Sequence, residues 1–121
     1  VLKPEYPSVA QLIGNIYLFH LNQAEKALQF FDHALRMSAQ DDRALLGKGI
    51  ALQDLRQYQQ SSSYLLQVKM KQPQWPEVPF YLGIDALEHL QDTLLACKYW
   101  RDADALGSSN ARIAIKKHCN P

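Results

Sequence analysis

The chain has 121 residues, enough for one domain with its own core, and its 47% apolar and 21% charged content is that of an ordinary globular protein. Its net charge of +1 excludes a strong overall field that would draw it to nucleic acid or to a membrane surface. No apolar run approaches the roughly 18 residues that a membrane-spanning helix needs, so we expect no direct membrane insertion.

Helical spacing of apolar residues dominates the sequence, and neither sustained alternation nor an Asn-Gly or Asp-Gly hairpin turn indicates strands. The pattern predicts an all-α chain with helices at about 8–20, 23–38, 42–54, 57–71, 77–90, 93–106 and 109–118. Connections of about two to five residues predict antiparallel neighbours.

Helix starts carry residues that cap free backbone N–H groups. Ser8-Val9-Ala10-Gln11 has the capping-box pattern, and Asn22 begins a looser version of it. Further cap oxygens come from the pairs Asp41-Asp42, Asp92-Thr93 and Ser108-Ser109.

Residues of matching size recur at a spacing of 34 or 35 positions. Small side chains let two helix backbones approach, and bulky ones fill the space beside them, which is what stacked helical hairpins require. The recurring small residues are Gly14, Gly49 and Gly83, then Ala27, Ser61 and Ala96, then Ala34, Val68 and Ala103; the bulky ones are Phe31, Leu65 and Trp100.

This pattern resembles the tetratricopeptide repeat, a unit of about 34 residues that forms two antiparallel helices. The middle unit matches without a gap through Gly49, Tyr58, Ser61, Leu65, Val68 and Pro73. The first and third units each carry one extra residue, which in the first unit we place in the turn. Val68 is larger than the family's usual residue, and the proline that Pro73 supplies is missing after the other two units.

The resemblance implies a right-handed superhelix of helical hairpins, with repeats at about 7–41, 42–75 and 76–107 and a capping helix at 108–119. Residues 1–7 are either an N-terminal tail or the end of a preceding repeat, in which Pro4 would hold the family's late proline. Under the second alternative the chain is the C-terminal piece of a longer array.

Cys97 and Cys119 are the two cysteines, and His118 precedes the second. Three such residues fall short of the roughly four ligands of a zinc site, so we predict no metal. The position of Cys97 beside Trp100 suggests packing rather than catalysis. A disulfide and two reduced, buried thiols both remain open. The closing segment resembles the tail of some bacterial members of the family, which favours a bond.

Such a bond would attach the capping helix to the last hairpin and stabilise the folded chain by about 3 kcal/mol. It would also place the protein in an exported or periplasmic compartment, whereas two reduced thiols would suit the cytoplasm.

The resemblance also implies a concave groove lined by the first helix of each pair. An apolar strip edged with polar groups is typical of a site for an extended peptide or a partner's helix. Carried over by position, the groove residues are Gln11, Asn15, Leu18, Phe19, Arg43, Leu46, Ile50, Gln53, Asp54, Phe80, Ile84, Leu87 and Glu88.

The family's carboxylate clamp for chaperone tails is not expected here. Asn15 matches one clamp position, but Gln11 replaces the clamp lysine and Ile50 replaces the second asparagine. Alternatively, a neighbouring segment of the same protein fills the groove.

No Gly-rich phosphate loop, G-x-S-x-G or H-E-x-x-H motif is present, and we predict neither a cofactor nor catalytic residues. The sequence therefore favours a non-enzymatic scaffold or adaptor that binds a protein or peptide and no nucleic acid. The alternative is a regulatory or substrate-presenting domain of a larger enzyme or of a secretion or assembly machine.

Overall fold

A computed structural model describes residues 6–119, and over that range the chain is helical with no strand. All the predicted helices are present, with ends within two residues of the predicted ones. The helices are α1 (Pro7–Asn15, continued by a π-helical segment at Ile16–His20), α2 (Ala24–Met37), α3 (Asp42–Asp54), α4 (Tyr58–Lys71), α5 (Glu77–Glu88), α6 (Thr93–Ala105) and α7 (Ser109–His118). None of the helices within residues 6–119 combines the length and the apolar character that a membrane span requires. The predicted end of a preceding repeat, at Leu2–Pro4, lies outside the described residues.

Three of the predicted N-caps are confirmed. Oδ1 of Asp41 accepts a hydrogen bond from the Ala44 N–H over 3.1 Å, and Oδ1 of Asp92 accepts one from Leu95 over 3.0 Å. The hydroxyl oxygen of Ser108 accepts from the Ala111 N–H over 3.0 Å. Each cap satisfies one of the donors that a helix start leaves unpaired.

The two capping boxes are wrong. Helix α1 begins one residue earlier than Ser8, at Pro7, whose fixed φ suits a first helical turn, and its N-cap Tyr6 makes no side-chain cap bond. Helix α2 has Gln23 as its N-cap, also without a side-chain bond. Asn22 instead takes a left-handed backbone conformation, with φ 52°.

That left-handed residue recurs in the turns of all three predicted repeats. Asn22, Arg56 and Gln91 have φ values of 52°, 62° and 53°, and each lies five positions before the small buried residue of the next helix. A left-handed residue just after a helix allows the chain to reverse and pairs its last carbonyls. The three turns therefore share a left-handed residue at the same distance from the next helix although their sequences differ.

The extra residue of the first repeat lies at the end of the first helix, and placing it in the turn was wrong. The N–H of Gln23 bonds the carbonyl of Tyr17, six residues back, whereas the matching bond of the second turn, Gln57 to Leu52, spans five. The π-helical segment takes up the additional residue, because a π-turn holds one residue more than an α-turn.

All nine residues at the recurring positions of the second helices are buried, none more than 2% exposed. Glycines of the first helices leave the space that bulky side chains of the second helices fill. A Cβ on Gly14 would meet the Phe31 ring at 2.7 Å, and Cβ atoms on Gly47 and Gly83 would overlap Phe31 and Trp100. Gly49 is also buried. The small-against-bulky arrangement that the sequence predicts is thus present at Gly14 with Phe31 and at Gly83 with Trp100.

The chain divides into two compact units, with the division between Tyr64 and Leu65 inside α4. In the first unit, α2 packs against both α1 and α3 around Ala10, Ala34 and Ala44. In the second unit, α6 packs against both α5 and α7. The core of that unit contains Ala86, Ala96, Cys97, Trp100, Ala103 and Ala111.

Candidate functional site

A cleft of about 330 Å³ opens in the second unit between α5 and α7. We call it the α5–α7 cleft. Helix α5 lines it with four of the predicted groove residues, α6 provides its floor, and α7 forms the opposite wall. The lining residues are Phe80, Ile84, Leu87, Glu88, Trp100, Asn110, Ile113, Ala114, Lys117 and His118.

The floor of the cleft is fixed by Trp100, whose indole is 2% exposed. Its Nε1–H donates a hydrogen bond to the carbonyl oxygen of Phe80 over 3.1 Å, which ties α6 to α5. Gly83 leaves the space that the indole occupies. On the other side, the His118 ring lies 5.5 Å from the indole ring, centroid to centroid. The aromatic floor is therefore held from both walls.

The cleft is apolar in its centre and polar at its edges. Phe80, Ile84 and Leu87 are half-buried, while Ile113 on the opposite wall is 65% exposed. The exposed polar edge consists of Glu88, Asn110, Lys117 and His118. A concave apolar surface with a few polar groups is the usual form of a ligand site.

The first half of α7 is held by polar contacts near its start. Besides the Ser108 cap, the N–H of Ser108 bonds the carbonyl of Ala103 over 2.9 Å. Arg112 Nε donates to Asp104 Oδ1 over 3.1 Å, a partly exposed ion pair of small energetic value. Ala111 is the one fully buried residue of α7.

The far end of α7 is held by a covalent bond. Cys97 on α6 and Cys119 just after α7 form a disulfide, with a Cα–Cα distance of 5.8 Å. Cys97 belongs to the core, whereas Cys119 is half-buried. Among residues 6–119 no group of three or more His, Cys, Asp or Glu side chains could hold a metal ion.

The predicted groove residues of the first unit divide by exposure. Phe19, Arg43 and Asp54 are exposed, and Gln11 and Asn15 are half-buried. The other four are at most 7% exposed: Leu18, Leu46, Ile50 and Gln53. Leu18, Leu46 and Ile50 are therefore core residues, although the sequence places them on an exposed strip.

Asp54 lines a separate cleft of about 520 Å³ in the first unit. The cleft lies between the end of α3 and the turn before α2, and Asn22, Gln23 and Lys26 also line it. Although Asp54 is exposed, the surrounding protein displaces part of its water and raises the pKa of its carboxyl above the usual value of 3.8, because desolvation disfavours the charged form. This cleft has no aromatic or large apolar floor apart from Leu55.

Five cleft residues on α7 are not among the predicted groove residues, because that helix is expected only to cap the last hairpin: Asn110, Ile113, Ala114, Lys117 and His118. An apolar stripe on α1 is also not predicted; its residues Val9, Leu12 and Ile16 are 40%, 58% and 49% exposed. The repeat spacing relates these residues to α3, since they stand 35 positions before Ala44, Gly47 and Ala51. Those three residues are buried, whereas the stripe on α1 is exposed.

Known structures share this fold. YrrB, described as a tetratricopeptide-repeat protein with an unusual peptide-binding site, matches 93% of the chain at 17% identity with a TM-score of 0.80. PilW, described as a type IV pilus biogenesis factor, matches 86% at 22% identity with a TM-score of 0.75. The chain spans 58% of the YrrB chain and 48% of the PilW chain. No protein-family model matches, and a comparison with curated proteins gave no match. The chain thus has the tetratricopeptide-repeat fold.

Proposed function

We propose that this chain is a non-enzymatic interaction module that binds a peptide or a partner's helix in the α5–α7 cleft. The observation that carries the proposal is the cleft itself. Four groove residues predicted from sequence, Phe80, Ile84, Leu87 and Glu88, line one concave surface together with Trp100 and α7. An apolar groove between two helices suits the apolar face of an extended or helical peptide.

The size of the cleft limits what it can hold. Ligand sites range over about 300–1,000 Å³, and 330 Å³ is near the lower end. The cleft therefore accepts a few side chains of a longer peptide, with the rest of the peptide lying outside. Aliphatic or aromatic residues fit against Ile84 and Ile113.

The charge at the edge adds a preference. Lys117 lies at the α7 wall, and Lys116 and Arg112 are exposed on the same helix. We expect a ligand with an acidic residue next to its apolar ones, because a carboxylate near Lys117 gains charge complementarity. Glu88, on the α5 wall, would disfavour an acid on that side.

The shared fold supports an interaction role, since YrrB is described as having a peptide-binding site. The proposal assigns no reaction to the chain, because the sequence offers no catalytic motif with which to build one.

A peptide-display selection tests the proposal. Random peptides would be selected on the wild-type chain, and their affinities compared with those for Ile113→Glu and Leu94→Glu. Leu94 is the matched control, because it is 85% exposed on α6 and does not line the cleft. We expect apolar peptides with an acidic residue, weakened at least tenfold by Ile113→Glu and unchanged by Leu94→Glu. Equal weakening by both variants, or no enrichment of any peptide, would contradict the proposal.

The second candidate is a regulatory or substrate-presenting domain of a larger enzyme or of a secretion or assembly machine. The exposed stripe of Val9, Leu12 and Ile16 favours it, because the equivalent residues of α3 are buried. PilW, which shares the fold, is described as a pilus biogenesis factor. Loss of a stable copurifying protein with Leu12→Glu but not with Ile113→Glu would support this candidate over the first.

A further inference from the structure

We propose that the Cys97–Cys119 disulfide controls whether the α5–α7 cleft exists, so that the cleft is complete only in the oxidised chain. Reduction would release the second half of α7, which forms one wall of the cleft. Oxidation would restore this wall. The effect of this switch on ligand binding rests on the proposed function, but the movement of α7 does not.

Helix α7 is attached unevenly along its length. Its buried residue, Ala111, and its polar ties at Ser108 and Arg112 all lie in its first half. In its second half, Ala114 and Ile115 are half-buried against the core, and Lys116, Lys117 and His118 are exposed. The covalent bond at Cys119 is therefore the main tie at that end.

Helix α7 is too short to be stable by itself. Helix α7 has ten residues, and isolated helices shorter than about 12–15 residues are marginal in water. Its helical state therefore depends on tertiary contacts. Without the bond, the second half keeps the half-buried contacts of Ala114 and Ile115 and the exposed His118 ring against Trp100.

The wall of the cleft includes the end of α7 that would be released. Lys117 and His118 line the cleft and directly precede Cys119. His118 also covers the Trp100 ring. Loss of helical structure there would open the cleft on that side and expose the indole, while Phe80, Ile84 and Leu87 would stay in place on α5.

The chemistry is thiol–disulfide exchange with a dithiol. A thiolate of the dithiol attacks Sγ of Cys119, the less buried of the two residues, forming a mixed disulfide and releasing the Cys97 thiolate, which takes up a proton. The second thiol of the dithiol then attacks the mixed disulfide and releases the Cys119 thiol. Two electrons and two protons pass from the dithiol to the chain, and the dithiol leaves as a disulfide. The reverse exchange, with a disulfide oxidant, rebuilds the wall.

Hydrogen exchange of the oxidised and reduced full chain tests the switch. We expect the amides of residues 115–119 to exchange at least tenfold faster after reduction with dithiothreitol, and the amides of α5 and α6 to change by less than twofold. In parallel, acrylamide should quench Trp100 at least twofold more effectively in a reduced Trp75→Phe chain, in which Trp100 is the only tryptophan. The Cys97→Ser/Cys119→Ser variant is the control: it should behave like the reduced chain and not respond to dithiothreitol.

Two outcomes would overturn the proposal. Unchanged protection of residues 115–119 would show that packing alone holds α7. Faster exchange throughout α5, α6 and α7 would show that the bond stabilises the whole unit and does not act on the wall alone.

Binding of a display-selected peptide separates this inference from the proposed function. Release of α7 together with at least tenfold weaker binding supports both. Release of α7 without peptide binding in either redox state supports the switch and removes the proposed function. Unchanged protection of α7 together with peptide binding in both redox states supports the proposed function and removes the switch.

Discussion

The indole Nε1 of Trp100 donates a hydrogen bond to the main-chain carbonyl oxygen of Phe80 across 3.1 Å. One side chain thereby joins α6 to α5, fills the space beside Gly83 and forms the floor of the cleft. Phe31 has the equivalent place in the first unit, packed against Gly14 and Gly47. The residue that stabilises the hairpin in the second unit is thus also the residue on which a ligand would rest.

Gly83→Ala tests this close packing. We expect the variant to lose about 1–3 kcal/mol of the free energy of unfolding, because the added methyl group overlaps the Trp100 indole. Helix propensity alone predicts the opposite sign, a gain of about 1 kcal/mol. Urea denaturation followed by circular dichroism measures the difference. Ser63→Ala, at an exposed position of α4, is the control and should change stability by no more than about 0.5 kcal/mol. A Gly83→Ala chain as stable as wild type would contradict the packing described.

Gln91→Gly tests the conformation of the third turn. Gln91 has φ 53°, a region that costs non-glycine residues about 1–2 kcal/mol. Glycine removes that cost but loses part of the gain through the greater entropy of the unfolded chain. We expect a net gain of about 0.5 kcal/mol, again from urea denaturation. Asn22→Gly should gain less, because asparagine tolerates this region better. A larger gain at Asn22 than at Gln91 would refute the explanation.

Asp54→Asn tests the raised pKa of this carboxyl. Because the folded pKa lies above the unfolded value of 3.8, ionised Asp54 destabilises the folded chain at neutral pH. The amide should therefore raise the urea midpoint at pH 7. The gain should shrink as the pH falls through the folded pKa and vanish below 3.8, where both states of the wild type hold the proton. A gain that is the same at pH 7 and below 3.8 would show that desolvation of the charge is not its cause.

Periodicity predicts the helices well because apolar residues recur at helical spacing along the chain and most helices are bounded by capping or turn residues. The helix ends at Asp41, Asp92 and Ser108 were predictable from the chemistry of the cap alone. The predicted capping box at Ser8 does not form because the helix begins one residue earlier, at Pro7. The predicted cap at Asn22 is wrong because the turn requires a left-handed backbone at this residue.

The candidate site was harder to predict. Phe80, Ile84 and Leu87 follow from repeat position, but the opposite wall depends on where the disulfide and the Ser108 turn place α7. Burial at Leu46 and Ile50 is a property of tertiary packing, which position within a repeat does not determine. The sequence also could not decide between a disulfide and two thiols, since that depends on a Cα distance.

These burial values also determine which variants are informative. Ile50 is 5% exposed, so Ile50→Glu would bury a charge and disrupt the fold of the first unit. Ile113 is 65% exposed and can accept a charge without that cost.

Mapping the amide chemical shifts of the ¹⁵N-labelled, oxidised chain during titration with a display-selected peptide shows whether the α5–α7 cleft binds peptide. Binding in the cleft predicts shifts concentrated at Ile84, Leu87, Ile113, Ala114 and Lys117, together with the side-chain Nε1–H of Trp100. Shifts concentrated at Val9, Leu12 and Ile16, with the cleft unchanged, would contradict it and assign binding to the stripe on α1.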